Sequence, residues 1–228
     1  MFNSRRDDLP NVYGQAADGS GTLERMTTSV DSLLPNSVTP DGQHLLGSRR
    51  TDKTSWDVVL FPLADAAQNL GPNPSKAATS KLQSLIETPA AEFAAVTSPD
   101  GRYLAYQSNE TGRFEIYVRL FPRVNDGRWQ ISMSGGGSPA WSRTGRELFY
   151  LDGAGNLMAV PVEPSAATFT AGIPTRIFDA RKYNRSLFAY DVQPDGQRFL
   201  MLKESDRHPN VVVVLNWVEE LKRLLPTK

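Results

Sequence analysis

A four-residue turn phrase returns along this chain and limits what it can fold into. It reads Thr39-Pro40-Asp41-Gly42, Ser98-Pro99-Asp100-Gly101, Ser142-Arg143-Thr144-Gly145 and Gln193-Pro194-Asp195-Gly196. Pro presets φ for the first corner of a type I turn, and Asp bonds the backbone at the second. Gly then supplies the positive φ from which the next strand leaves as a bulged hairpin. A polar or charged residue follows each phrase, and then an apolar stretch: Leu45-Leu46, Tyr103-Leu104-Ala105-Tyr106, Leu148-Phe149-Tyr150-Leu151 and Phe199-Leu200-Met201-Leu202. The third copy has lost the Pro-Asp pair but keeps Gly145, the residue hardest to replace on steric grounds.

The turn glycines stand at 42, 101, 145 and 196, at intervals of 59, 44 and 51 residues. One hairpin turn per unit of that length marks an array of small β repeats, and the spacing predicts propeller blades. Four unrelated turns in an ordinary β sandwich would leave the shared context unexplained. Each unit carries its elements in one order. A short strand precedes the turn (Asn36 to Val38, Phe93 to Thr97, Pro139 to Trp141, Phe188 to Val192) and the apolar strand follows it. A third strand comes next: Trp56 to Leu60, Phe114 to Arg119, Leu157 to Val162 and Val211 to Leu215. Three units add a fourth, at Leu82 to Ile86, Trp129 to Ser132 and Thr175 to Phe178. Four antiparallel strands per unit make a propeller blade.

The expected fold is therefore all-β: a β-propeller of four-stranded antiparallel blades, four to five of them, cut from a larger propeller. The blades fall at about 1–27 (partial), 36–87, 93–132, 138–178 and 188–215 (partial), which makes 1–215 the propeller. The chain opens inside a blade, with Met1 to Ser4 as its second strand, Asn11 to Gln15 as its third and Leu23 to Thr27 as its fourth. Residues 216–228 read as a short C-terminal helix and tail. Asn216 is its N-cap, Trp217, Leu221, Leu224 and Leu225 form one apolar stripe, and Pro226 ends it. Ala64 to Lys81 and Glu163 to Pro174 read as long loops between third and fourth strands.

The 25 Lys+Arg balance 25 Asp+Glu, so no global field favours nucleic acid or an anionic membrane. No apolar run is long enough to insert in a membrane, and Met1 to Arg6 has no apolar core for a signal peptide. Cysteine is absent, which excludes disulfides and thiolate chemistry.

The run Ser98-Pro99-Asp100-Gly101-Arg102-Tyr103-Leu104-Ala105-Tyr106-Gln107-Ser108-Asn109-Glu110, continued by Phe114 to Arg119, resembles the WD-like repeat of TolB-type β-propellers. Trp141 to Tyr150 fits the same repeat. The order of these words and the ending Val214-Leu215-Asn216-Trp217-Val218-Glu219-Glu220-Leu221 look like the C-terminal propeller of bacterial serine/threonine kinases of the eukaryotic-like type. That resemblance implies the sensor or scaffold half of a larger signalling protein, in an extracytoplasmic setting. No Gly-rich nucleotide loop, His-Arg-Asp or Asp-Phe-Gly occurs, so kinase chemistry transfers to no residue here.

Catalysis finds little footing elsewhere. A Gly-x-Ser-x-Gly elbow is missing, and Ser134-Gly135-Gly136-Gly137-Ser138 reads as a glycine turn. His44 and His208 are the only two histidines, both at turns, which gives neither a base nor metal-ligand spacing. Paired carboxylates for glycoside hydrolysis form only in three dimensions and stay open at this stage. The expectation is a non-enzymatic module without cofactor or metal, binding a protein or small-molecule ligand on one propeller face. The alternative is the accessory, substrate-gating propeller of a prolyl-peptidase-type hydrolase. Topology puts the second-to-third strand turns and the blade connections on that face. The candidate binding residues there are Arg49, Arg50, Asp52, Lys53, Asn109, Glu110, Arg113, Lys203, Glu204, Asp206 and Arg207. Trp56, Trp129, Trp141, Phe149 and Tyr150 are expected in the core between blades.

Overall fold

The computed structural model describes residues 1–5, 10–27, 31–63, 82–164, 168–183, 190–194 and 196–203. Among them eighteen strands form five antiparallel sheets in chain order. Sheet one is β1 (Phe2–Ser4), β2 (Asn11–Gly14) and β3 (Glu24–Arg25); sheet two is β4 (Ser32–Val38), β5 (His44–Arg50), β6 (Trp56–Pro62) and β7 (Gln83–Ile86). Sheet three holds β8 (Glu92–Thr97), β9 (Tyr103–Ser108), β10 (Glu115–Leu120) and β11 (Arg128–Gln130). Sheet four holds β12 (Gly136–Trp141), β13 (Glu147–Asp152), β14 (Asn156–Pro164) and β16 (Thr175–Asp179), with β15 (Phe169–Ala171) paired to the far end of β14. Sheet five is β17 (Tyr190–Val192) and β18 (Phe199–Met201).

The continuous apolar runs of the middle strands follow from burial on both faces. Side chains alternate across a strand, and each face meets a neighbouring sheet. Leu45, Val59 and Phe61 pack back onto Val12 of sheet one. Their neighbours Leu46, Val58 and Leu60 pack forward onto Ala95, Leu104 and Tyr106 of sheet three. In the same way Tyr103 and Ala105 meet Leu148 and Tyr150, while Phe149 and Leu151 face Tyr190, Val192 and Phe199. Every seam is thus a separate apolar core, and the five sheets are blades packed face to face.

The repeated turns have the geometry their residues demand. In the first, Gly42 N donates to Thr39 O (2.8 Å) and Thr39 N to His44 O (2.9 Å); Asp41 Oδ1 accepts from the Thr39 hydroxyl (2.6 Å) and from Gln43 N (3.0 Å). The second repeats these bonds through Ser98 and Asp100. In the third the Thr144 hydroxyl takes the carboxylate's place, 3.1 Å from Ser142 Oγ and 3.4 Å from Arg146 N. Gly42, Gly101, Gly145 and Gly196 all sit at φ near +70°.

Some expectations differ from the structure. Strand β4 begins at Ser32, four residues before the expected Asn36, and runs through Pro35 with a register shift between Pro35 and Ser37. Pro is tolerated because β4 is the edge strand of its sheet. The segment 163–174 is no bare loop. β14 continues into it and β15 folds back on β14, which carries Phe169 into the core beside Tyr103 (ring centroids 5.0 Å), Trp129 (5.4 Å) and Trp141 (6.3 Å). The loop expected over 64–81, the strand over 211–215 and the helix over 216–228 lie outside the described residues.

Candidate functional site

The β5–β6 and β9–β10 turns and the links from β7 to β8 and β11 to β12 lie at one end of the blades, opposite the Pro-Asp-Gly turns. Several expected site residues are there, but most are occupied with the fold itself. Arg49, at the end of β5, donates from Nη2 to Ser84 Oγ (3.1 Å) and lies 3.9 Å from Glu87 Oε2. Arg50, Asp52 and Lys53 are exposed beside it. Asn109 pins the incoming blade connection, its Oδ1 accepting from Ala91 N (2.8 Å). Glu110 pairs with Arg128. Arg113 donates from Nε to Glu115 Oε1 (2.6 Å) and from Nη2 to Met133 O. Lys203 is exposed just past β18, and Glu204, Asp206 and Arg207 lie outside the described residues.

Of the described candidates only Arg113 borders a cleft at this end. The cleft, about 540 Å³, opens between sheets three and four and is lined by Phe93, Gln107, Phe114, Ser134 to Ser138 and Leu151 to Gly153. Its floor is the Ser134-Gly135-Gly136-Gly137-Ser138 segment, which is tightly held. Gly136 N donates to Phe114 O (2.8 Å), Ser138 N to Gln107 Oε1 (3.0 Å), and the Tyr190 hydroxyl of sheet five to Ser138 O (2.8 Å). Burial raises the Tyr190 phenol far above its ordinary value, so it stays a donor. In the core between sheets three and four Tyr150 is pushed up to about 12 by burial, with the Asp152 and Glu115 charges adding to it.

The glycines of the floor are a packing requirement. A Cβ on Gly135 would lie 2.8 Å from Gly153 Cα, and one on Gly153 would lie 2.6 Å from Ser134 O. The two backbones cross where no side chain fits. The rim is aromatic. Trp56, expected in the core, is half-buried at this end, its ring 5.1 Å from Phe93, which is in turn 5.8 Å from Phe114. Met133 is exposed nearby in the β11–β12 link. Trp141, Phe149 and Tyr150 are buried between sheets as expected, and Trp129 is half-buried against the same core.

Sequence reasoning missed Phe93, Gln107, Phe114 and Leu151 to Gly153 as cleft residues. A usable signal was present. A glycine run in a blade connection and a lone glycine in the next hairpin, Gly153, mark a place where two backbones meet. Among the described residues no cluster of three or more potential metal ligands occurs, and no helix is long and apolar enough to cross a membrane.

No family model and no curated protein matches the chain. Solved structures do. A putative TolB from Agrobacterium tumefaciens matches with a TM-score of 0.56 at 14% identity, over 78% of this chain and 62% of that one. TolB from Acinetobacter baumannii matches with a TM-score of 0.53 at 14% identity, over 89% of this chain and 50% of the other. The fold is that of a TolB-like β-propeller. The chain spans between half and about three-fifths of the length of these two structures.

Proposed function

We propose that the chain is a non-catalytic binding module, the sensor or scaffold part of a larger signalling protein such as a bacterial serine/threonine kinase. Its ligand is a protein segment or small molecule bound at the aromatic-rimmed cleft between sheets three and four. The observation that carries this reading is the cleft itself. It joins a rigid glycine floor, an apolar rim of Phe93 and Phe114, and the polar groups of Gln107, Arg113 and Asp152. A preformed concavity with a few convergent polar groups is how proteins hold ligands. The kinase association rests on the sequence resemblance alone. The lack of a nucleophile elbow or a placed base supports a role without turnover, and the balanced charge argues against nucleic acid.

Selection of random dodecapeptides against the immobilised chain tests this. Selected peptides should carry an apolar anchor and lose about tenfold in affinity with Phe114→Ser, whose side chain is already partly exposed. Asp41→Ala, at the opposite end, should leave their binding unchanged. Peptides that respond to Asp41→Ala and ignore Phe114→Ser would move the site to the other face.

A further inference from the structure

Sheets two, three and four repeat one set of positions, and the repeat is broken at the cleft. Phe93 and Gly137 are equivalent. Each stands eight residues before its turn glycine, Gly101 or Gly145, and opposite the residue six past it, Gln107 or Leu151. Trp56 and Phe114 are equivalent too. Each directly precedes the acid, Asp57 or Glu115, that pairs with the residue seven past the turn glycine, Arg49 or Ser108. Between sheets two and three this pair of positions holds two rings in contact, Phe93 on Trp56, with centroids 5.1 Å apart and planes tilted by 43°. Phe93 also meets Phe114 of its own sheet edge to face at 5.8 Å, so three rings stand in a row along this end of the blades. Between sheets three and four the row stops. Gly137 has no ring to set against Phe114, and the cleft opens between them, lined by both. Phe114 is left 37% exposed.

The gap has fixed walls, and its floor cannot grow a ring of its own. Gly136 N donates to Phe114 O (2.8 Å), which ties the floor to the residue leading into β10. A Cβ on Gly136 would strike the Ser132 hydroxyl and lie 2.9 Å from Ile116 Cγ1. A Cβ on Gly137 would come within 3.1 Å of Gln107 Oε1, the atom that accepts from Ser138 N (3.0 Å). A ring at position 137 would therefore compete with a bond that holds the floor in place. At the corresponding position of sheet two, six past Gly42, stands the small Ser48. The earlier seam supplies its second ring from within the chain, whereas the later one leaves that place to an outside group.

We propose that the cleft between sheets three and four takes an aromatic side chain of a bound peptide, its ring set against Phe114 as Phe93 is set against Trp56. The proposal rests on reading the cleft as a ligand site and narrows the apolar anchor to a ring. The chain carries its own template for the contact in the seam one sheet earlier. Aromatic pairs gain attraction beyond the area they bury when their centroids lie about 4.5–7 Å apart, offset or edge to face. An aliphatic side chain of equal size gains the area alone. The volume of about 540 Å³ falls within the range of ligand pockets, and Arg113 and Asp152 in the lining offer the peptide one cation and one anion beside the ring.

Titration of the full chain with two capped tripeptides, followed by proton–nitrogen NMR, tests the assignment. Both have glycine at the ends; one has phenylalanine in the middle and the other cyclohexylalanine, a side chain of similar size without the aromatic electrons. The phenylalanine peptide should shift the amides of Gly135, Gly137 and Gly153 and bind about two- to tenfold more tightly than its partner. Phe114→Leu should remove that preference. Equal affinities of the two peptides at these glycines would overturn the aromatic assignment and leave the cleft a binding site. No shift at the glycines with either peptide would overturn both. The double variant Gly137→Phe with Gln107→Ser restores the residues of the earlier seam, so its own ring should fill the cleft and abolish tripeptide binding. Undiminished binding to the folded double variant would also overturn the proposal. If neither variant folds, the comparison of the two peptides on the unsubstituted chain decides.

Discussion

At Gly101 the backbone turns through φ +70°, and a Cβ built there would meet nothing within 4 Å. The requirement for glycine is thus one of backbone angle and not of space. Gly101→Val should cost about 1–3 kcal/mol, since a β-branched residue resists the left-handed region. Asp100→Ala removes acceptors for Ser98 Oγ (2.6 Å) and Arg102 N (3.1 Å) at the surface and should cost about 0.5–1 kcal/mol. Thermal melts of the two variants rank them, and equal losses would refute the turn geometry. Glu115 gives a pH prediction as well. Its lowered carboxyl adds stability above the unfolded value near 4.5, and that stability fades as pH falls through the folded value. Glu115→Gln should therefore lose about 1–3 kcal/mol at pH 7, with the gap closing in acid. Urea denaturation at pH 7 and near pH 3 measures both limbs.

Among the elements, β15 shows best what the sequence concealed. Pattern reasoning located the apolar second strands and most of the third, because runs such as Tyr103 to Tyr106 and Leu148 to Leu151 are buried on both faces. The insertion after β14 had no comparable run. Of its two large apolar residues Ile173 is exposed, whereas Phe169 is only 4% exposed because it reaches the core shared by sheets three and four. The Tyr103 hydroxyl donates to Thr168 O (3.1 Å) and ties the same hairpin to sheet three. Phe169→Ala should cost about 3 kcal/mol in denaturant melts, far more than a surface loop residue would. A change below about 0.5 kcal/mol would mean that the hairpin is not part of the core. The candidate site was only half legible for a related reason. Charged turns mark an end of the blades, but a cleft belongs to two sheets at once. Phe93 and Leu151 are fifty-eight positions apart, and nothing in either local pattern announces that they line the same cleft.

Taken as a whole, the molecule is a row of blades whose interfaces are independent apolar cores. In such arrays stability is a sum of units and of their contacts with nearest neighbours. Sheets two, three and four have a described neighbour on each side, whereas sheets one and five have one each and show three and two strands among the described residues. Hydrogen exchange should follow that order. Amides of β5, β6, β8 to β10, β13 and β14 should exchange most slowly, and those of β1 to β3 and β17 to β18 fastest. Uniform protection across all five sheets would instead indicate one cooperative unit. One consequence of the third turn reaches beyond this chain. There Thr144 supplies by hydroxyl what Asp41 and Asp100 supply by carboxylate, with no change in the path of the chain. A search profile for such repeats is better written as a grammar of roles: an oxygen-bearing side chain, two positions later another, and then an obligatory glycine. Spelled as Pro-Asp-Gly, the same profile would pass over one blade in four of the kind it was made to find.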